Sequence, residues 1–424
     1  GTTIQGSTSV TINVGDAELS GTEGHNNFVK NIYGGSYANT KSEGNGAVQK
    51  VEGNSSVSIS GKEGITFTGD IMGGSFWNWG NGTTLTTNGN TSVSIDGGST
   101  FTGKIVGGSW RGSTWTAEDP TALPVSIGGN ITVTLGQGTY LGDIYGAGNC
   151  GTVGGEVHVS LTGGSIFGEE GEESGITIGG SAGAAVEGNR TLELKGTFGT
   201  GDFQNVTFTR FDEINIAQKG TSATIYALTD SPALTKTGAG TLALGYAGNT
   251  LAHLTVEEGT LAFTGGATIG VNPNNATIVR VSEGASLALS GGTVNLHAQL
   301  NGAGTVTIGT ADTAGLVNIS NTGNTNFTGR LELVGNGVNM NTNANWVAFG
   351  AGNTLGGGTV FIDGKGFHFS AGTTAANFEI GATHGAMQNG SSGATYTFSG
   401  NLSGSGTWAM AANVRMNNVL TGSL

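Results

Sequence analysis

The chain has 424 residues, 82 of them glycine, and only 10% of it is charged, against about 25% in an ordinary globular domain. A formal net charge of −14 excludes the basic footprint of a nucleic-acid binder and disfavours anionic lipid surfaces. Low charge, with β-branched and aromatic residues recurring regularly, argues against disorder, and glycine does not fall at every third position as collagen requires.

A long repeat runs through the first part of the chain, at a spacing of about 33 to 39 residues. Its first copy holds Val10-Thr11-Ile12 and Ile32-Tyr33-Gly34-Gly35-Ser36-Tyr37. The second reads Gly53-Asn54-Ser55-Ser56-Val57-Ser58-Ile59, then Phe67-Thr68-Gly69-Asp70-Ile71-Met72-Gly73-Gly74-Ser75-Phe76. The third reads Gly89-Asn90-Thr91-Ser92-Val93-Ser94-Ile95, then Phe101-Thr102-Gly103-Lys104-Ile105-Val106-Gly107-Gly108-Ser109-Trp110. Looser copies hold Val133-Thr134-Leu135 with Leu141 to Ala147, and Val157 to Leu161 with Ile178 to Ser181. Each repeat predicts three short strands. Val57 and Ile59 face one way and Ser56 and Ser58 the other, the period of a half-buried strand. Gly-Gly and Asn-Gly pairs read as corners, where positive φ is often required.

From about residue 186 the period shortens to roughly 18 to 25 residues. Strands are expected at Thr191 to Leu194, Val206 to Phe208, Ile214 to Ile216, Thr224 to Tyr226 and Leu242 to Leu244. No helical periodicity occurs. The expected fold is all-β: a right-handed parallel β-helix (β-solenoid) forming a single elongated rod, with sections 1–185 and 186–424 continuous. Stacked turns about 4.8 Å apart set Val57 over Val93 in an apolar column and Asn54 over Asn90 in a side-chain ladder. Roughly 15 turns give a rod on the order of 70 Å.

Residues Leu234-Thr235-Lys236-Thr237-Gly238-Ala239-Gly240-Thr241-Leu242-Ala243-Leu244 lead to Gly248-Asn249-Thr250 and Leu254-Thr255-Val256-Glu257-Glu258-Gly259-Thr260-Leu261. This stretch resembles the passenger-associated repeat of bacterial autotransporters, the type V secreted proteins. Looser echoes occur at Leu300 to Val306 and Leu402 to Trp408, and at Asn324 to Leu331 with Phe327 where the repeat carries Tyr. The first 186 residues match in architecture only. The resemblance implies a β-helix passenger displayed on, or released from, the bacterial outer membrane by a C-terminal β-barrel outside these residues. The chain begins at Gly1 and stops at Leu424 in mid-repeat, and reads as a mature or trimmed fragment whose export signals and any anchor lie outside it. No apolar run approaches the roughly 20 residues of a spanning helix, so direct membrane insertion is not expected. Cys150 is the single cysteine, which suits export of an unfolded chain.

Sequence patterns for catalysis are weak. Gly179-Gly180-Ser181-Ala182-Gly183 fits the nucleophile-elbow pattern, but that motif needs a strand-to-helix turn, and Ser181 occupies the repeat's Gly-Gly-Ser slot. Gly146-Ala147-Gly148-Asn149-Cys150-Gly151 fits a dinucleotide fingerprint without the helix it needs. Glu169, Glu170, Glu172 and Glu173 are candidate calcium ligands, weighed against a solvated acidic loop. The histidines His25, His158, His253, His297, His368 and His384 are too scattered for zinc. Asp70 and Asp143 fill equivalent slots with Lys104 between them, which reads as surface variation rather than a glycosidase pair. No enzymatic activity and no cofactor are expected.

The aromatic loops are the strongest binding signal. Phe76, Trp77, Trp79, Trp110 and Trp115 follow equivalent Gly-Gly-Ser corners and are expected on one side of the rod, as a binding row or as rings folded back onto the solenoid. The expected function is an extracellular, adhesin-like passenger that presents loops to a glycan or protein on another surface. The alternatives are a self-associating structural fibre or surface-layer component, in which copies of the chain contact each other, and, more weakly, a polysaccharide-active enzyme.

Overall fold

A computed structural model describes residues 2–15, 27–28, 30–39, 48–79, 84–112, 125–169, 175–219, 222–225, 227–231, 233–245, 249–270, 277–291, 293–309, 316–319, 326–335, 346–349, 356–369, 372–389, 396–411 and 414–416. Among them every regular element is a strand, and the assigned strand pairs are parallel. The fold is a parallel β-helix. It comprises two compact units, Gly1–Ala217 and Gln218–Leu424. Arg190–Gly196 pairs in register with Val157–Thr162 as a further turn of the first unit.

One turn of the first unit contains five strands rather than the expected three: Val48–Val51, Ser55–Ser60, Thr66–Phe67, Ile71–Met72 and Phe76–Trp79. Each pairs with its counterpart in the next turn: Thr84–Thr87, Thr91–Asp96, Thr100–Phe101, Ile105–Val106 and Trp110–Arg111. Alternation then builds the interior. Val10, Val57, Val93, Val133 and Val159 share one column, and Ile12, Ile59, Ile95, Leu135 and Leu161 the next. A third column is aromatic: Phe28, Phe67, Phe101, Tyr140, Phe167 and Phe203 stack at centroid distances of 4.5, 4.9, 5.3, 5.1 and 5.4 Å.

Side chains tie each turn to the next. Asn54 Oδ1 accepts from the Asn90 backbone N–H at 2.9 Å, Asn90 Oδ1 from Asn130 at 2.8 Å, and Asn130 Oδ1 from Glu156 at 2.9 Å. The ladder therefore runs from side chain to backbone, not from side chain to side chain. It also explains the preceding glycine: a Cβ on Gly89 would lie 2.4 Å from Asn54 Oδ1. The Gly-Gly-Ser corners work the same way. Ser75 N–H donates to Ser109 Oγ at 3.0 Å, and a Cβ on Gly74 would lie 2.6 Å from that oxygen. Positive φ is found at Gly97 and Gly98 but at none of Gly73, Gly74, Gly107 or Gly108, so those corners need glycine for space, not for backbone conformation.

Equivalent residues in this ladder are 47 (Ser7 to Asn54), 36 (Asn54 to Asn90), 40 (Asn90 to Asn130) and 26 (Asn130 to Glu156) residues apart, a wider range than the repeat suggested. Loop-closure entropy grows only as (3/2)RT ln n, so lengthening a turn across that whole range costs about 0.5 kcal/mol. Insertions between strands leave the columns intact.

A turn of the second unit contains three strands, such as Ala233–Thr237, Thr241–Leu244 and Asn249–Leu251, which pair with His253–Val256, Thr260–Phe263 and Ala267–Ile269. Leu242, Leu261, Leu287, Val306, Leu331, Val360, Phe378 and Leu402 form one buried column. Lys236 is fully buried beside it. Its Nζ donates to the carbonyls of Thr237 (2.9 Å), Gly238 (2.6 Å) and Glu258 (3.2 Å), closing two successive corners with one ammonium. Burial draws its pKa down to about 8, with the Glu258 charge opposing.

Two substitutions test these assignments. Val93 has no solvent exposure while Ser94 is exposed on the opposite face. Val93→Asp is expected to destabilise by several kcal/mol and Ser94→Asp by less than about 0.5 kcal/mol, read by denaturant unfolding. Lys236→Met keeps the apolar stem but strips three carbonyls of their donor. The expected loss is about 2 to 3 kcal/mol, measured in the same way.

Candidate binding surface at the aromatic corner

The Gly-Gly-Ser corners join two stacks of short strands: Ile32–Tyr33, Ile71–Met72, Ile105–Val106 and Ile144–Ala147 on one side, and Tyr37–Asn39, Phe76–Trp79 and Trp110–Arg111 on the other. Successive residues of a strand face opposite ways. Ile71 points inward and Met72 away from it; Phe76 points outward and Trp77 inward.

The outward positions gather five rings. Tyr33 stacks on Tyr37 at 5.5 Å and on Phe76 at 5.2 Å; Tyr37 lies over Phe76 at 5.7 Å with the planes only 5° apart. Trp110, in register with Phe76, stacks on Tyr145 at 5.8 Å. Tyr37 is 47% exposed; Tyr33, Phe76, Trp110 and Tyr145 are half-buried. Met72 and Val106, in register between Tyr33 and Tyr145, are fully buried and give the patch an apolar floor. The Tyr145 ring sits where Gly179 has no side chain: a Cβ there would lie 2.9 Å from Tyr145 Cδ1.

A polar row borders the rings. Asn31 Nδ2 donates to Tyr33 Oη at 2.9 Å, and Asn31 Oδ1 accepts from Asp70 N–H at 2.9 Å. Asp70 Oδ1 accepts from Lys104 N–H at 2.9 Å, and its Oδ2 lies 3.3 Å from Lys104 Nζ. That ammonium is also 5.2 Å from the Trp110 ring centroid, a cation–π approach. Asp143 Oδ1 accepts from Thr177 N–H at 2.9 Å, and its Oδ2 accepts from Tyr145 Oη at 3.3 Å. Burial first raises the pKa of both Tyr33 and Tyr145, helped by Tyr37 and Asp70 against the Asn31 hydrogen bond at Tyr33 and by Asp143 at Tyr145, so both phenols stay protonated at neutral pH.

The aromatic residues expected to form one row do not all share this face. Phe76 and Trp110 lie on it. Trp77 is only 2% exposed and belongs to an interior cluster with Ala38, Leu85, Val125 and Cys150. Neighbouring residues of one strand cannot both face solvent, so Phe76 outward puts Trp77 inside. There the Arg111 guanidinium lies 5.2 Å from the Trp77 centroid, and burial lifts the Cys150 thiol to about 11, Arg111 pulling the other way. Trp79 lies beyond a register shift in its strand, and its side chain is outside the described residues, as is Trp115. Tyr33, Tyr37 and Tyr145 are not among the expected site residues; the repeat carries the signal for them, Tyr37 aligning with Phe76 and Trp110 and Tyr33 with Tyr145.

The other candidates are dispersed. Ser181 is buried and donates to Ala184 O at 2.8 Å. Glu169 is exposed, while Glu170, Glu172 and Glu173 lie outside the described residues. Among the described residues no group of three His, Cys, Asp or Glu side chains is close enough to hold a metal ion.

The sequence matches no protein-family model, and neither a curated protein nor a solved structure matches the chain.

The two tryptophans should separate in a stability measurement. Trp77→Ala removes a buried ring and is expected to cost about 3 to 5 kcal/mol. Trp110→Ala, on the half-exposed face, should cost about 1 kcal/mol or less in the same denaturant titration.

Proposed function

We propose that the protein is an extracellular or cell-surface binding protein that holds a glycan of another surface against its aromatic corner. The observation that carries this reading is the group of outward rings that holds the near-parallel pair Tyr37 and Phe76, one of them nearly half exposed, with an amide at Tyr33, an ammonium paired to a carboxylate at Trp110 and a second carboxylate at Tyr145. A sugar has an apolar C–H face that packs on an aromatic plane and hydroxyls that need polar partners beside it. The corner offers both within one patch. We read it as binding and not catalytic, because both oxygens of Asp70 and of Asp143 are already engaged and neither is placed to activate water. Display at a bacterial outer membrane, as an autotransporter passenger, is part of the proposal and rests on the likeness of residues 234–261 to the passenger-associated repeat.

The test is an array of immobilised glycans and mucins probed with the wild type and with Tyr37→Ala/Trp110→Ala. A hot-spot ring contributes about 2 kcal/mol, so binding should fall at least tenfold in the double variant with little change in its melting curve. Wild type that binds no glycan, or a folded double variant that binds equally well, overturns the proposal.

A further inference from the structure

A second surface of the first unit lies away from the aromatic corner. It is a groove of about 460 Å³ where the strands Thr8–Asn13, Ser55–Ser60, Thr91–Asp96 and Ile131–Leu135 begin. Its lining holds the asparagine ladder, Asn54, Asn90 and Asn130, and beside it, two residues further along each strand, the outward hydroxyls Ser56, Ser92 and Thr132, with Ser9 in the turn before. The ladder fixes what the asparagines present. A backbone N–H can be accepted only by the amide oxygen, so each Oδ1 is committed to the next turn and each Nδ2 is left with its hydrogens toward solvent. All three asparagines are exposed. Three successive turns therefore repeat one amide donor and one hydroxyl, at the strand spacing of about 4.8 Å.

The geometry points to this groove as a binding site for a linear, uncharged polysaccharide lying across the turns of the helix, recognised through its hydroxyl and ring oxygens. Three observations select that class. The ligand is extended, because the same donor and hydroxyl recur on successive turns. It is neutral, because no lining residue is ionisable and the chain carries a net charge of −14, which repels a polyanion. It is polar along its length, because the lining contains only Ser, Thr and Asn and offers no apolar or aromatic anchor. The site shares no residue with the aromatic corner and does not depend on it.

Affinity gel electrophoresis tests the assignment, using dextran, hydroxyethylcellulose, arabinoxylan and galactomannan in the gel. Wild type should be retarded by at least one of them, and so should Tyr37→Ala/Trp110→Ala, which separates this groove from the aromatic corner. Asn90→Asp keeps an oxygen for the Asn130 N–H but replaces the outward donor with an acceptor, and should weaken retardation at least tenfold. Ser56→Ala/Ser92→Ala leaves the ladder untouched and should weaken it at least threefold; a melting curve on each variant reports folding. The inference is overturned if none of the four polymers retards the wild type, or if the serine double variant and a folded Asn90→Asp are retarded as strongly as wild type.

Discussion

A missing methyl group sets the geometry of the first unit. Asn54, Asn90 and Asn130 each send a carbonyl oxygen into the place where the glycine of the next turn would carry a Cβ, at 2.4, 2.3 and 2.2 Å from Gly89, Gly129 and Gly155. Ser75 and Ser109 occupy the equivalent space beside Gly35 and Gly74, each 2.6 Å from where the Cβ would be. These hydrogen bonds fix which residue lies over which, and in a sheet a slip of one residue turns every side chain to the other face. The interior valine and phenylalanine columns, the outward rings and the polar groove all follow from that one register.

The second unit uses the asparagine device again, Asn377 Oδ1 accepting from Asn401 N–H at 3.0 Å, and adds another. Lys236 threads its aliphatic stem along the interior and places an ammonium among three carbonyls. Leu242, Leu261, Leu287, Val306, Leu331 and Val360 form an aliphatic column that ends on Phe378 and Leu402, where the first unit has stacked rings in one of its columns. Both units obey the same rule, that corner carbonyls and amides need partners once water is excluded, and the second adds a buried ammonium to the asparagine oxygens that both use.

How much of this was legible depended on strand length. Six-residue strands such as Ser55–Ser60 and Thr91–Asp96 show their alternation openly, and the buried faces read from Val57, Ile59, Val93 and Ile95 are those of the structure. Two-residue strands such as Ile71–Met72 and Thr66–Phe67 are too short to carry a period, so a turn of five strands read as three. The same brevity hid the split between Phe76 and Trp77: clustered tryptophans suggested one surface, while alternation at that single step sends one ring out and the other in. The glycine corners were located correctly but for a conformational reason, whereas the reason at Gly73 and Gly74 is close approach by the next turn, which no local pattern reveals.

The direction of the ladders has a kinetic meaning. A finished turn exposes asparagine carbonyls already held by its own glycine-lined corner, and the next stretch of chain has only to bring one N–H to each. Along this ladder each turn is thus a mould for its successor, and the closures span the 26 to 47 residues that separate equivalent positions. Growth along the ladder is a run of small, similar steps between nearest neighbours, as in other one-dimensional arrays. The part of the first unit assembled in this way has the folding problem of a much shorter chain, repeated.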